Sequence, residues 1–78
     1  MPKIKPLPHR ELIRALEKTG FRIVRQKGSH VIIMMNGHGT RIVIPAHPGK
    51  DVKPGLIRAI IKEAGLSREK FLKLLKET

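Results

Sequence analysis

Apolar residues recur along this chain with two different periods, and the change of period marks the elements. Pro6 and Pro8 keep the first residues extended, after which Leu12, Ile13 and Leu16 fall at helical spacing between His9 and Thr19. Gly20 suits the left-handed position that ends a helix, with Phe21 placed to pack back on the last turn. From Phe21 to Gln26 apolar and polar residues alternate imperfectly, the mark of a strand. Lys27-Gly28-Ser29 makes a tight connection into the β-branched run Val31-Ile32-Ile33, which continues through Met34-Met35. Asn36-Gly37-His38-Gly39 reads as a hairpin loop and Thr40 to Ile44 as a third strand, with Pro45 ending its ladder. Beyond the loop His47 to Asp51, Pro54 opens a second helix. Its stripe is Leu56, Ile57, Ile60, Ile61 and Ala64, and Gly65 closes it. Ser67 caps a short third helix carrying Phe71, Leu74 and Leu75.

The order helix, three strands, helix, short C-terminal helix predicts an α+β fold spanning residues 1–78 as one domain. Short connections between successive strands require an antiparallel meander, and the helices must cover one of its faces to bury their stripes. The strands are apolar on both faces: Val31, Ile33 and Met35 on one, Ile32 and Met34 on the other. Val24 and Val43 stand opposite the inward Ile23, Ile42 and Ile44. A sheet with one wet face alternates more cleanly than this. The pattern therefore predicts that another chain covers part of the second face, against the simpler reading of β-propensity on a half-exposed sheet.

Charge changes the picture next. The 78 residues hold 17 Lys and Arg against 6 Asp and Glu, a formal net charge of +11, and residues 1–30 carry the largest share of the surplus. Each phosphate neutralised by such a chain releases condensed counterions, so nucleic acid is the favoured partner, with a solvated lysine coat as the alternative. The chain is too short for a dinucleotide fold or a multi-domain enzyme, and too regular in its apolar spacing for a disordered basic tail. Cysteine is absent, which removes disulfides, thiolate metal sites and thiol nucleophiles. With no apolar run long enough to span a bilayer and no signal-peptide core, a soluble, cytoplasmic protein is expected, with no membrane association.

Candidate chemistry is sparse. The histidines at 9, 30, 38 and 47 show no metal-binding spacing, and no metal site is expected. Ser29 has no acid-base partner except its neighbour His30, which a strand would point to the other face. The richest segment is Arg25-Gln26-Lys27-Gly28-Ser29-His30, where cations, a glycine turn and an imidazole converge. Gly28 permits an unusual backbone angle, and neighbouring amides with Lys27 could hold a phosphate close to His30. An imidazole moves protons near neutral pH while cations stabilise developing phosphorane charge, an arrangement suited to cutting RNA. A packing or surface histidine is the competing reading. Lys50 and Lys53 flank the entry to the second helix, where backbone donors and the helix dipole already favour phosphate.

Gly20-Phe21, Arg25 to His30, Pro45-x-His47-Pro48-Gly49-Lys50, Lys53-Pro54-Gly55, Ile60 and Ala64-Gly65-Leu66-Ser67 together resemble the HicA toxins of HicA-HicB type II toxin-antitoxin systems. The resemblance runs from the first helix to Leu75. It implies a fold like the double-stranded RNA-binding domain and an mRNA interferase, a ribonuclease that stops translation of mRNA until a HicB-like antitoxin covers it; a higher-order toxin-antitoxin complex is a candidate assembly, its stoichiometry left open. It implies that His30 is the catalytic histidine and that no cofactor is needed. Ala46 departs from the polar or basic residue expected before His47 in relatives.

Beside that resemblance, the residues assign RNA contact to Arg25, Lys27, Gly28, Ser29, Lys50 and Lys53, with His30 as general base or acid in attack by the RNA 2′-hydroxyl on its own phosphate. One imidazole cannot serve both sides of an in-line displacement, and His47, ahead of His38, is the candidate second proton carrier. With only 2 Phe and no Tyr or Trp, the chain offers no platform for base stacking, and recognition should rest on backbone shape and charge. A noncatalytic double-stranded-RNA-binding-type module using the same basic surface is the alternative. DNA binding is weaker, because no helix offers the exposed polar recognition face that a helix-turn-helix needs.

Overall fold

The computed structural model describes residues 4–28, 30–46 and 49–76. Helix α1 spans His9–Glu17, followed by strands β1 (Arg22–Lys27), β2 (Val31–Met35) and β3 (Arg41–Pro45) and by helices α2 (Pro54–Glu63) and α3 (Arg68–Lys76). The three strands form one antiparallel sheet in the order β1-β2-β3. This is the α+β meander that the apolar periods predict.

Helix ends are set locally. After α1 the amide of Gly20 donates to the Glu17 carbonyl and that of Phe21 to the Leu16 carbonyl, the paired bonds of a Schellman turn, with Gly20 at φ +99°. The turn uses Lys18 to Gly20, so the helix stops at Glu17 rather than Thr19. After α2 the same device recurs: Gly65 donates to Lys62 and Leu66 to Ile61, with Gly65 at φ +76°. The Ser67 hydroxyl accepts the Lys70 amide at 3.1 Å and caps α3. In the β2–β3 loop the Asn36 side-chain oxygen accepts the amides of His38 and Thr40, closing the hairpin as an Asx turn does.

The helices cover one face of the sheet. Ile32, Met34, Ile42 and Ile44 meet Leu12 and Leu16 of α1, Ile57, Ile60 and Ile61 of α2, and Phe71 and Leu74 of α3 in one core. Ile33 is buried but lies outside this cluster, because period-two alternation turns it to the other face.

Two sequence expectations need correction. Ile23, expected inward, is 43% exposed. It pairs with Met34 on the helix side of the sheet, but β1 is an edge strand and the helices pack mainly over β3 and each other. Pro45 does not end the ladder. The bonds Asn36 N–H to Thr40 and Ala46 N–H to His30 fix the even-numbered positions of β2 and β3 as the hydrogen-bonded pairs, so Pro45 opposite Val31 occupies a non-hydrogen-bonded position. Its missing N–H would have faced the free edge of β3, where it costs no bond.

The imperfect alternation of β1 also has a cause. The register shifts between Ile23 and Arg25, so Val24 is the extra residue of a β-bulge. The bulge resets the parity of the strand. Arg22 opposite Met35, Arg25 opposite Ile33 and Lys27 opposite Val31 therefore all share the face away from the helices.

Candidate nucleic-acid interface

The β1–β2 connection is built for a narrow turn. Lys27 pairs with Val31 at the last ladder position, and Gly28 follows at φ +59°, a conformation that an L side chain rarely adopts. His30 is exposed at the end of this turn. Its carbonyl accepts the Ala46 amide at 2.7 Å, which carries the β2–β3 register one pair beyond the strands. Through that bond His30 and Ala46, separate in sequence, become neighbours at the backbone. Ser29 and His47 lie outside the described residues.

Ala46 is buried in the core, which explains why a small apolar residue stands there: its side chain faces the helices while its amide holds His30. Arg25 and Lys27, by contrast, stand on the open face of β1. The backbone thus places Arg25 and Lys27 on one face of the sheet and gives His30 a ladder partner directed to the other.

Lys50 and Lys53 sit on either side of a long-range bridge. Leu7 and Val52 exchange both backbone bonds, Leu7 N–H to Val52 at 3.2 Å and Val52 N–H to Leu7 at 2.6 Å. The pairing is antiparallel, so the chain leaves it in opposite directions. Lys50 joins Pro8, His9, Arg10, Gly49 and Asp51 around an open cleft of about 360 Å³ at the start of α1. Lys53 instead occupies the N-cap of α2 with no side-chain cap bond. Its carbonyl accepts the amides of Leu56 and Ile57, and Pro54 has no donor, which leaves the Gly55 amide as a first-turn donor without an acceptor among the described residues. Sequence reasoning misses His9 and Arg10 because only this bridge brings them to Lys50. The sole local signal is the extended Pro6-Leu7-Pro8 segment, which is shaped to pair.

None of the described polar or charged side chains is buried, so the described cations all face solvent, where they can attract a polyanion. Among the described residues no cluster of three or more His, Asp or Glu could hold a metal ion, and none of the helices is long and apolar enough to cross a membrane.

A helix, a three-stranded antiparallel meander and C-terminal helices packed on one of its faces, with exposed cations at the turns, define an α+β protein like the double-stranded RNA-binding domain. The family model described as the HicA toxin of bacterial toxin-antitoxin systems matches residues 9–66. A protein of Pseudomonas fluorescens (strain Pf0-1), named "Probable mRNA interferase HicA", is 35% identical over 60 residues, covering 77% of this chain and 97% of its own length. The chain belongs to the HicA toxin family.

Proposed function

We propose that this chain is the toxin of a toxin-antitoxin pair and acts in the cytoplasm as a metal-independent endoribonuclease on mRNA. Membership of the HicA family and the name of the Pseudomonas relative support the class of activity. The observation that carries the catalytic assignment is the setting of His30. The residue is exposed, and its carbonyl is held by the 2.7 Å bond from the Ala46 amide two positions after the positive-φ Gly28.

In the proposed reaction the 2′-hydroxyl of one nucleotide attacks the adjacent phosphorus and the P–O5′ bond breaks, leaving a 2′,3′-cyclic phosphate and a free 5′-hydroxyl. One proton leaves the 2′-oxygen and one reaches the 5′-oxygen. His30 carries one of these transfers, since an imidazole nitrogen can take up a proton and give one back. His47 is the proposed second carrier, since it follows Ala46, the backbone partner of His30. Arg25, Lys27 and the amides around Gly28 and Ser29 hold phosphate on one side of the turn, and Lys50 and Lys53 form a second anchor. His9 and Arg10 extend the second anchor across the cleft. No aromatic platform contributes, because Phe21 and Phe71 are both buried.

The test is His30→Ala, measured for RNA cleavage with a chelator present and for RNA affinity. Removing a general acid or base costs on the order of 10²–10⁴-fold in rate, and RNA affinity should stay within about twofold because the cations that hold phosphate remain. Cleavage by the variant at the wild-type rate would refute the assignment. Wild type that binds RNA tightly and leaves it intact would establish the noncatalytic RNA-binding module instead.

A further inference from the structure

The sheet face turned away from the helices has no covering element among the described residues, yet its centre is apolar. Val24 and Val43 are 52% and 53% exposed, and between them Ile33 is only 3% exposed although it stands outside the core cluster. Across the middle of the sheet, Arg25 pairs with Ile33 and Ile33 with Val43, with bulged Val24 beside them. Half-buried Val31 and Met35 continue the aliphatic strip along β2. Around it stand Arg22, Arg25 and Lys27 on β1 and Arg41 on β3, all exposed. No Asp or Glu occurs anywhere from residue 18 to residue 50.

We propose that this face is the docking surface for the antitoxin protein, which must present aliphatic side chains encircled by carboxylates, and that docking there competes with RNA for Arg25 and Lys27. The inference rests on the toxin-antitoxin reading above.

Charge complementarity selects this occupant. A second copy of the chain would bring the cationic rim against another of the same sign, on a protein of net charge +11. RNA would satisfy the rim, but its bases would find only aliphatic side chains at the centre, with no aromatic ring to stack on and no donor to read an edge. An acidic protein surface matches both parts: aliphatic side chains fill the centre of the patch while charge pairs occupy the rim. The face measures about 17 Å along the strands and about 14 Å across them, from the strand rise and spacing. That area, ~240 Å², is well below the ~800 Å² per partner of a stable complex, so it forms the apolar centre of an interface whose border takes in the arginines. Because Arg25 and Lys27 belong to both the rim and the proposed RNA track, a bound antitoxin withdraws two cations from the RNA phosphates.

The experiment measures the affinity of the purified antitoxin protein, together with RNA cleavage, for wild type, Val43→Lys and Arg41→Glu. Both substitutions lie on β3, away from His30, Arg25 and Lys27 in the chain. Val43→Lys should weaken antitoxin binding at least 100-fold and relieve inhibition, with cleavage within twofold of wild type. Arg41→Glu, a charge reversal on an exposed side chain, should weaken binding about tenfold through slower association and flatten the salt dependence of that rate. It keeps the test decisive if Val43→Lys does not fold. Antitoxin affinity within threefold of wild type in the folded variants would overturn the docking face while leaving the toxin reading intact. Loss of RNA affinity in place of antitoxin affinity would overturn it as well, making the face an RNA surface. Wild type that neither binds the antitoxin nor cuts RNA would remove the toxin reading and the docking face together.

Discussion

Gly28 offers a clean perturbation, because the structure separates its backbone requirement from any steric one. At φ +59° it occupies a conformation that costs an L-residue about 1–2 kcal/mol. A Cβ placed there meets nothing within 4 Å, so Gly28→Ala introduces no clash. Against the conformational cost, alanine restricts the unfolded chain and returns roughly 0.4–1 kcal/mol. The net expectation is a loss of about 1 kcal/mol, or roughly 4–8 °C in Tm for a domain of this size. Gly28→Asn should lose about half as much, because asparagine tolerates positive φ. Urea denaturation with circular dichroism, run on wild type and both variants, measures the order Gly, Asn, Ala. A loss of more than 3 kcal/mol in Gly28→Ala would mean that the turn is crowded, and equal stability of all three would mean that the positive φ is not required. Cleavage assays on the same variants add a second reading: if the turn aims His30, activity should fall in the same order as stability.

Two further outcomes follow from the core and from the second anchor. Phe71 is fully buried at the junction of α3 with the rest of the core, and Phe71→Ala should cost about 3–5 kcal/mol. Against a total of about 5 kcal/mol, the low end of the range for small domains, that loss leaves roughly 0–2 kcal/mol, so that between a few per cent and half of the protein should be unfolded at 25 °C; a denaturation curve like that of wild type would disprove this. Replacing Lys50 and Lys53 by glutamine should lower the slope of log K against log salt for single-stranded RNA by roughly 0.7 for each phosphate no longer neutralised. An unchanged slope would move the phosphate track away from the α2 entry.

Local signals are strong in this chain wherever one residue acts through its own backbone. Gly20 and Gly65 end helices at positive φ, Ser67 caps α3, Asn36 closes a hairpin, and Pro54 begins α2. The family resemblance rests on such punctuation together with the Gly28-to-His30 and Pro45-to-Lys50 segments, and the match over residues 9–66 agrees with it. Parity is legible only in part. β2 and β3 alternate as the sequence predicts, but the bulge at Val24 shifts β1, so counting by twos across it assigns Arg25 and Lys27 to the wrong face. Exposure of Ile23 is equally hidden, since it depends on how far the helices reach over an edge strand.

The sequence by itself determined the order of elements, their ends and the basic character of the surface, because these arise from the torsional preferences and charges of residues close together in the chain. Only the tertiary structure decided which cations act as neighbours. The Leu7–Val52 bridge brings His9 and Arg10 to Lys50, and the Ala46–His30 bond joins two distant motifs. The packing of helices on one face leaves Ile33, Val43 and the arginines around them on the other. Such pairings form when a whole core closes and brings together residues far apart in the chain, and nothing in the local sequence of either partner specifies the other.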